Sequence, residues 1–302
     1  MAKHLLTGLL LLSALAFPLF AVWIDNPVER FATLPNEREA PQFPEGIAAD
    51  AAGRIYVATF DFERPVVYVF EANGKRRHTI ALPAGTVPLG LEIDHLGRLY
   101  VADFAGGTVL RYAQPLQASG KPDGEFSVCA LPESGCGLNA LAFDTKGDLY
   151  VSDSLGGNVF RIDLRGGTTS IFLSAELLKP GDGFPPLGAN GLAFDAGGKS
   201  LYVANTARES VLRYDLGTQE LDVFAQGIDG ADSIVFDRKG RLWVAASQMQ
   251  GVIALDETGT VIERVGSFDR SPASIVISGG HVYVTNRGLY TVSRFRLRGN
   301  ES

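Results

Sequence analysis

Helical periodicity is what this 302-residue chain lacks most plainly. Outside the N-terminal run, no useful length carries apolar residues at a three-to-four spacing; the nearest approach is residues 174–179. That excludes an α-helical bundle and a helix-covered parallel sheet. Positive charge is short as well: 27 Lys and Arg against 34 Asp and Glu leave a net charge of -7, with no basic stripe to neutralise phosphates. Nucleic acid is therefore not an expected partner. Cysteine is limited to Cys129 and Cys136, which without paired histidines make an incomplete zinc set. The chain has no G-x-S-x-G elbow, no H-E-x-x-H and no phosphate-binding loop. None of its 4 histidines falls in the polar register described below, so a histidine general base has no seat.

What is present is a chain 46% hydrophobic, able to bury a large core, with 35 glycines suited to many tight turns. Lys3 and His4 precede an apolar run over residues 5–24, with Ala14-Leu15-Ala16 as a cleavage site. Residues 1–22 read as a signal peptide or an uncleaved signal anchor, and the propeller described next occupies 28–298. Either form places the chain outside the cytoplasm, and only the uncleaved one would touch a membrane. In such an oxidising compartment Cys129 and Cys136, which flank a turn-rich segment, are expected to form a small loop-closing disulfide; two free thiols are the alternative.

One phrase recurs six times: PEGIAADAAGRIYVAT, PLGLEIDHLGRLYVAD, LNALAFDTKGDLYVSD, ANGLAFDAGGKSLYVAN, ADSIVFDRKGRLWVAA and ASIVISGGHVYVTN. Aligned on Gly46, Gly90, Ala140, Gly191, Ser233 and Ser274, the copies are 44, 50, 51, 42 and 41 residues apart. Each unit reads strand, turn, strand, turn, strand, and a fourth strand follows in all but the last. The missing piece stands at the N-terminus, where ERFATLP at 29–35 resembles HTIALP at 78–83 and FSVCALP at 126–132. The expected fold is all-β, a six-bladed β-propeller whose N-terminal strand closes the last blade. Ring closure removes the sheet edges that such a fold must hide.

In a closed ring, equivalent positions face one axis. The residue before each aligned position is Glu45, Leu89, Asn139, Asn190, Asp232 and Ala273. Leu89 and Ala273 show that the repeat does not itself demand polarity there. Any one polar residue at a strand start is ordinarily satisfied by backbone amides. Four together make two converging carboxylates, costly without a partner, beside two neutral carbonyl oxygens. An all-oxygen donor set suits one divalent cation, calcium first, with magnesium, manganese or zinc as alternatives. Ser233 would offer a further oxygen. A carboxylate beside such an ion, Asp232 or Glu45, can accept a proton. A second register closes the second strand at Thr59, Asp103, Asp153, Asn205, Ala246 and Asn286. Turn capping accounts for it, with the opposite mouth or a second ion site as the other readings. The connection 174–188 leads straight into Asn190 and reads either as a pocket wall or as an ordinary insertion between blades.

The blade phrase, with Glu in copy one, Asn in copies three and four and Asp in copy five, resembles the gluconolactonase/regucalcin family of six-bladed propellers. The resemblance implies a divalent-metal-dependent hydrolase that opens lactones or related esters. It assigns Glu45, Asn190 and Asp232 to the metal, Asn139 to the metal or to a substrate contact, and Asp232 also to moving the proton, which makes Asp232 the expected catalytic residue. Sugar-lactonase members carry an Arg two residues before the third-blade Asn, where this chain has Gly137, which leaves a less polar lactone or ester as open as a sugar lactone. Related propellers with the same quartet hydrolyse phosphotriesters. A non-enzymatic NHL-type propeller with a structural axial ion and a bound partner is the reading from another class.

Overall fold

The computed structural model describes residues 26–35, 43–60, 63–129, 135–266 and 271–298. The leader expected over 1–22 lies outside them. Six four-stranded antiparallel sheets make six blades. The innermost strands, in chain order, are Phe43–Ala49, Pro88–Ile93, Leu138–Phe143, Ala189–Phe194, Ala231–Phe236 and Pro272–Ser278. The last blade takes its outer strand from the N-terminus: Glu29–Thr33 pairs with Thr291–Arg296. Phe31 and Leu34 then enter the apolar layer between blades 6 and 1, against Ile55, Val57 and Tyr283. Each neighbouring pair of blades shares such a layer, so burial runs continuously around the ring. Residues 174–179 supply only a single 3-10 turn, Glu176–Leu178, and among the described residues no helix is long and apolar enough to cross a membrane.

The repeated phrase has a local physical cause. In blade 2, Asp94 Oδ1 accepts the amides of Leu96 and Arg98 and so closes the turn after the first strand. Its other oxygen takes the Arg98 Nε–H at 2.5 Å and the Tyr100 hydroxyl at 3.3 Å. Blade 5 repeats the device with Asp237, Arg241 and the indole N–H of Trp243 at 3.0 Å. One carboxylate thus caps a turn, holds an arginine over an aromatic ring and satisfies that ring's buried polar atom.

The innermost strands share a second feature. Their pairing with the next strand slips at one place in every blade: between Pro44 and Ile47, Pro88 and Leu91, Leu138 and Leu141, Ala189 and Leu192, Ala231 and Ile234, and Pro272 and Ile275. A β-bulge frees two residues from the ladder and re-aims their side chains. In all six blades the first freed residue is the register position itself. The second packs against the next blade so closely that glycine is required at three of them; a Cβ on Gly46 would lie 1.9 Å from the Leu89 carbonyl oxygen. Carbonyls freed near the bulges are met from the preceding blade: Ser154 Oγ donates to Ala189 O, Thr206 Oγ1 to Ala231 O and Thr285 Oγ1 to Glu45 O, each at 2.7 Å.

Candidate axial site

Glu45, Asn139, Asn190 and Asp232 stand on four bulges at the same end of the channel, each buried, at 7%, 7%, 2% and 4% exposure. Neighbouring hydroxyls set the two amides. Asn139 Nδ2 donates to Ser154 Oγ at 3.0 Å and Asn190 Nδ2 to Thr206 Oγ1 at 2.9 Å. Each carbonyl oxygen is thereby left as the atom that these hydroxyls do not engage. Ser233 is used differently: its Oγ accepts the Ile275 amide of the next blade at 3.2 Å, and the residue lines the channel beyond the ring.

The site also holds a residue that the blade phrase did not single out. Arg287 Nε donates to Glu45 Oε2 at 2.5 Å, and its Nη2 donates to both Glu45 Oε1 and, at 2.9 Å, Asp232 Oδ2. One guanidinium therefore spans both axial carboxylates. Burial works against its charge, but Glu45 and Asp232 raise its pKa above the ordinary arginine value. Burial likewise pushes the Asp232 carboxyl up to about 7; Arg287 pulls it down, Glu45 pushes it up and the Asn190 amide pulls it down. Arg287 was findable. It sits one residue past the second-strand register, and the equivalent positions are Phe60, Phe104, Ser154, Thr206 and Ser247. Ser154 and Thr206 are the hydroxyls that set the amides, so this third register surrounds the first.

The second register lies at the quartet's end of the ring, not at the opposite mouth. Antiparallel pairing puts Thr59 opposite Pro44, Asp103 opposite Pro88 and Asp153 opposite Leu138, each within a residue of the first register. Its side chains cap backbone amides: Asp153 Oδ1 accepts Gly137, Leu155 and Gly156, and Asp103 Oδ1 accepts Val87.

The connection 174–188 is pinned beside this end. Asn205 Nδ2 donates to the Leu177 and Lys179 carbonyls, Arg208 donates to the Lys179 and Glu176 carbonyls, and the Gly188 amide reaches Ser154 O at 2.7 Å. Its Phe184 ring is 80% exposed. Beside the connection, a Cβ on Gly137 would lie 2.5 Å from Phe104 Cε2 and 2.8 Å from Leu155 Cγ. Apolar groups therefore fill the place where a longer side chain would stand. Cys129 and Cys136 are joined by a disulfide, Cα atoms 6.4 Å apart, just before this glycine.

The channel beyond the ring widens into a cavity of about 650 Å³ lined by Glu92, His95, Arg98, Lys146, Ser233 and Phe236, among others. Burial pushes the Glu92 carboxyl up to about 7, against the pull of the Ile93 amide.

The donor chemistry of the quartet fits a hard divalent cation. Four oxygen-bearing side chains, two of them carboxylates, stand at one end of the ring, and each amide donates to a neighbouring hydroxyl. Among the described residues no group of three His, Cys, Asp or Glu gathers, so any ion here depends on the asparagines. Arg287 engages both oxygens of Glu45 and one oxygen, Oδ2, of Asp232.

A six-bladed propeller with a polar axial site at one mouth is the class that fold and geometry define. Residues 184–288 match the family model of the SMP-30/Gluconolactonase/LRE-like region, the resemblance read from the blade phrase. A gluconolactonase from Xanthomonas campestris is similar over 92% of this chain and 91% of its own, at 17% identity and a TM-score of 0.69. A luciferin-regenerating enzyme is similar over 91% and 96%, at 18% identity and a TM-score of 0.68. Virginiamycin B lyase from Staphylococcus aureus is similar over 90% and 100%, at 14% identity and a TM-score of 0.64. At these identities the solved structures establish the fold. No curated protein sequence matches.

Proposed function

We propose that this chain is a hydrolase that opens a lactone or related ester at the axial site, using a divalent cation, calcium first, held by Glu45, Asn139, Asn190 and Asp232. The observation that carries this reading is the buried quartet on four equivalent bulges with both amides fixed by hydroxyls. The family match over 184–288 supports it. When bound, such a cation supplies polarisation of the substrate carbonyl.

The chain's own residues do the rest. Asp232 supplies the carboxylate that exchanges the proton. It takes the proton of the attacking water while the water oxygen bonds to the acyl carbon. The ring C–O bond breaks, and the proton passes to the departing alkoxide, so that lactone and water give a hydroxy acid. Asn139 and Asn190, locked by Ser154 and Thr206, fix the geometry around the carbonyl. Phe104 and Leu155 occupy the space beside Gly137 where a longer side chain would stand, which favours a lactone or ester less polar than a sugar lactone.

The disulfide and the apolar 5–24 run support export, with the leader either cut or kept as an anchor. The ion pairs of Arg287 favour a second reading, a binding propeller of the NHL type whose axial charges are structural. Turnover of aliphatic, aromatic and sugar lactones, with a phosphotriester included, separates these readings. Hydrolysis that EDTA abolishes and calcium restores supports the first; binding without turnover supports the second.

A further inference from the structure

We infer that Arg287 is the resident cation of the axial site, and that its guanidinium and a divalent ion are alternative occupants of the same pair of carboxylates. The inference rests on the reading of the quartet as a cation site and adds to it a residue that decides when the site is loaded.

The geometry is specific. The guanidinium is bidentate on Glu45 through Nε and Nη2, and the same Nη2 reaches Asp232 Oδ2 at 2.9 Å. These three hydrogen bonds engage both oxygens of Glu45 and one of Asp232, so the guanidinium lies between the two carboxylates, where a shared ion would lie. A guanidinium cannot give up its charge, and a divalent ion at contact distance would be repelled by it, so the two do not share the pair. The neutral half of the quartet stands apart. Asn139 and Asn190 are held by Ser154 and Thr206 and make no bond to Arg287, so two carbonyl donors stay in place whichever cation is present.

Arg287 also has a way out. It opens the turn between the last two strands, where Gly288 and Leu289 are exposed, and its own side chain is 28% exposed. The blade that carries it presents only the Ala273 methyl at the register, so no larger side chain of that blade competes for the space. Glu45 is meanwhile fixed through its backbone, where the carbonyl accepts Thr285 Oγ1. Exchange of occupants thus needs the arginine to move and leaves the ring as it is.

The test is calcium titration of metal-stripped protein by calorimetry and by thermal melting, for the full chain and for Arg287→Gln. The variant is expected to bind calcium at least ten times more tightly, on the order of what removing one unit charge from contact allows. Without calcium it melts lower than the unmodified chain, because two buried carboxylates lose their partner, and calcium restores the loss. Arg287→Lys keeps the charge without the fork and is expected to lie between the two; it carries the comparison if the glutamine variant does not fold. Equal calcium affinity in all three proteins overturns the competition and leaves the proposed cation standing. Absence of calcium binding in all three overturns both.

Discussion

Replacing Glu92 with glutamine isolates one buried charge in the channel. Burial raises this carboxyl from its ordinary 4.5 to about 7, and the Ile93 amide offsets only part of the cost. The folded state therefore keeps the proton over a pH range in which the unfolded chain has lost it. The sign follows: the contribution to stability is complete below pH 4.5, falls as pH rises towards 7, and is gone above that. The full shift corresponds to roughly 3 kcal/mol. Glu92 lines an open cavity and is only partly buried as a residue, so water screening reduces the expected effect to about 1–2 kcal/mol. Glutamine keeps the shape and removes the titration. Glu92→Gln should match the unmodified protein at pH 4.5 and melt roughly 2–4 °C higher at pH 8. Thermal melts of both proteins in steps from pH 4.5 to 8.5 give the difference directly, because the other titrating groups cancel. A constant difference across that range, or a variant less stable at pH 8, would refute the reasoning.

Other outcomes follow from the site. Asp232→Asn keeps an oxygen donor but cannot take a proton, so it should fold normally and lose about 10²–10⁴ in hydrolytic rate; full activity would remove Asp232 from the proposed role. In the metal-stripped protein, a probe of Asp232 ionisation should titrate near pH 7, with Glu45 shifting it upwards and Arg287 downwards; a midpoint near 4 would contradict the burial seen here. Gly46→Ala places a methyl within 1.9 Å of the Leu89 carbonyl and should cost roughly 1–3 kcal/mol while disturbing Glu45 beside it; an unchanged melting curve would show that the bulge gives way.

Much of the architecture was legible because each blade repeats the same local chemistry. The Asp-to-Tyr contact behind D-x-x-G-R-x-Y is a short-range device, so it spells itself out in the sequence wherever it occurs. The vacancy after residues 291–297 and the orphan strand at 29–35 could be matched because ERFATLP repeats the fourth-strand pattern of HTIALP and FSVCALP. The quartet was legible for the same reason: Leu89 and Ala273 mark the unpolarised form of the position. The bulges were not, since nothing in Glu45-Gly46 or Asn139-Ala140 announces two residues leaving the ladder. Without strand pairing the second register could be set at either mouth, and partnerships such as that of Thr59 with Pro44 decide it. Arg287 escaped because an arginine after VTN looks like an ordinary turn residue, and its partners Glu45 and Asp232 lie 242 and 55 residues away. Glu92 escaped because PLGLEI reads as a strand with one solvent-facing acid, whereas the ring turns that face into the channel.

The most direct test of the proposed function is hydrolysis of a panel of aliphatic, aromatic and sugar lactones by the intact chain, first with EDTA and then with calcium in excess. The account predicts no turnover in EDTA, turnover restored by calcium, a preference for the less polar rings, and loss of that turnover in Asp232→Asn. Calcium binding without hydrolysis of any lactone or ester would contradict it and leave a propeller whose axial charges serve structure alone.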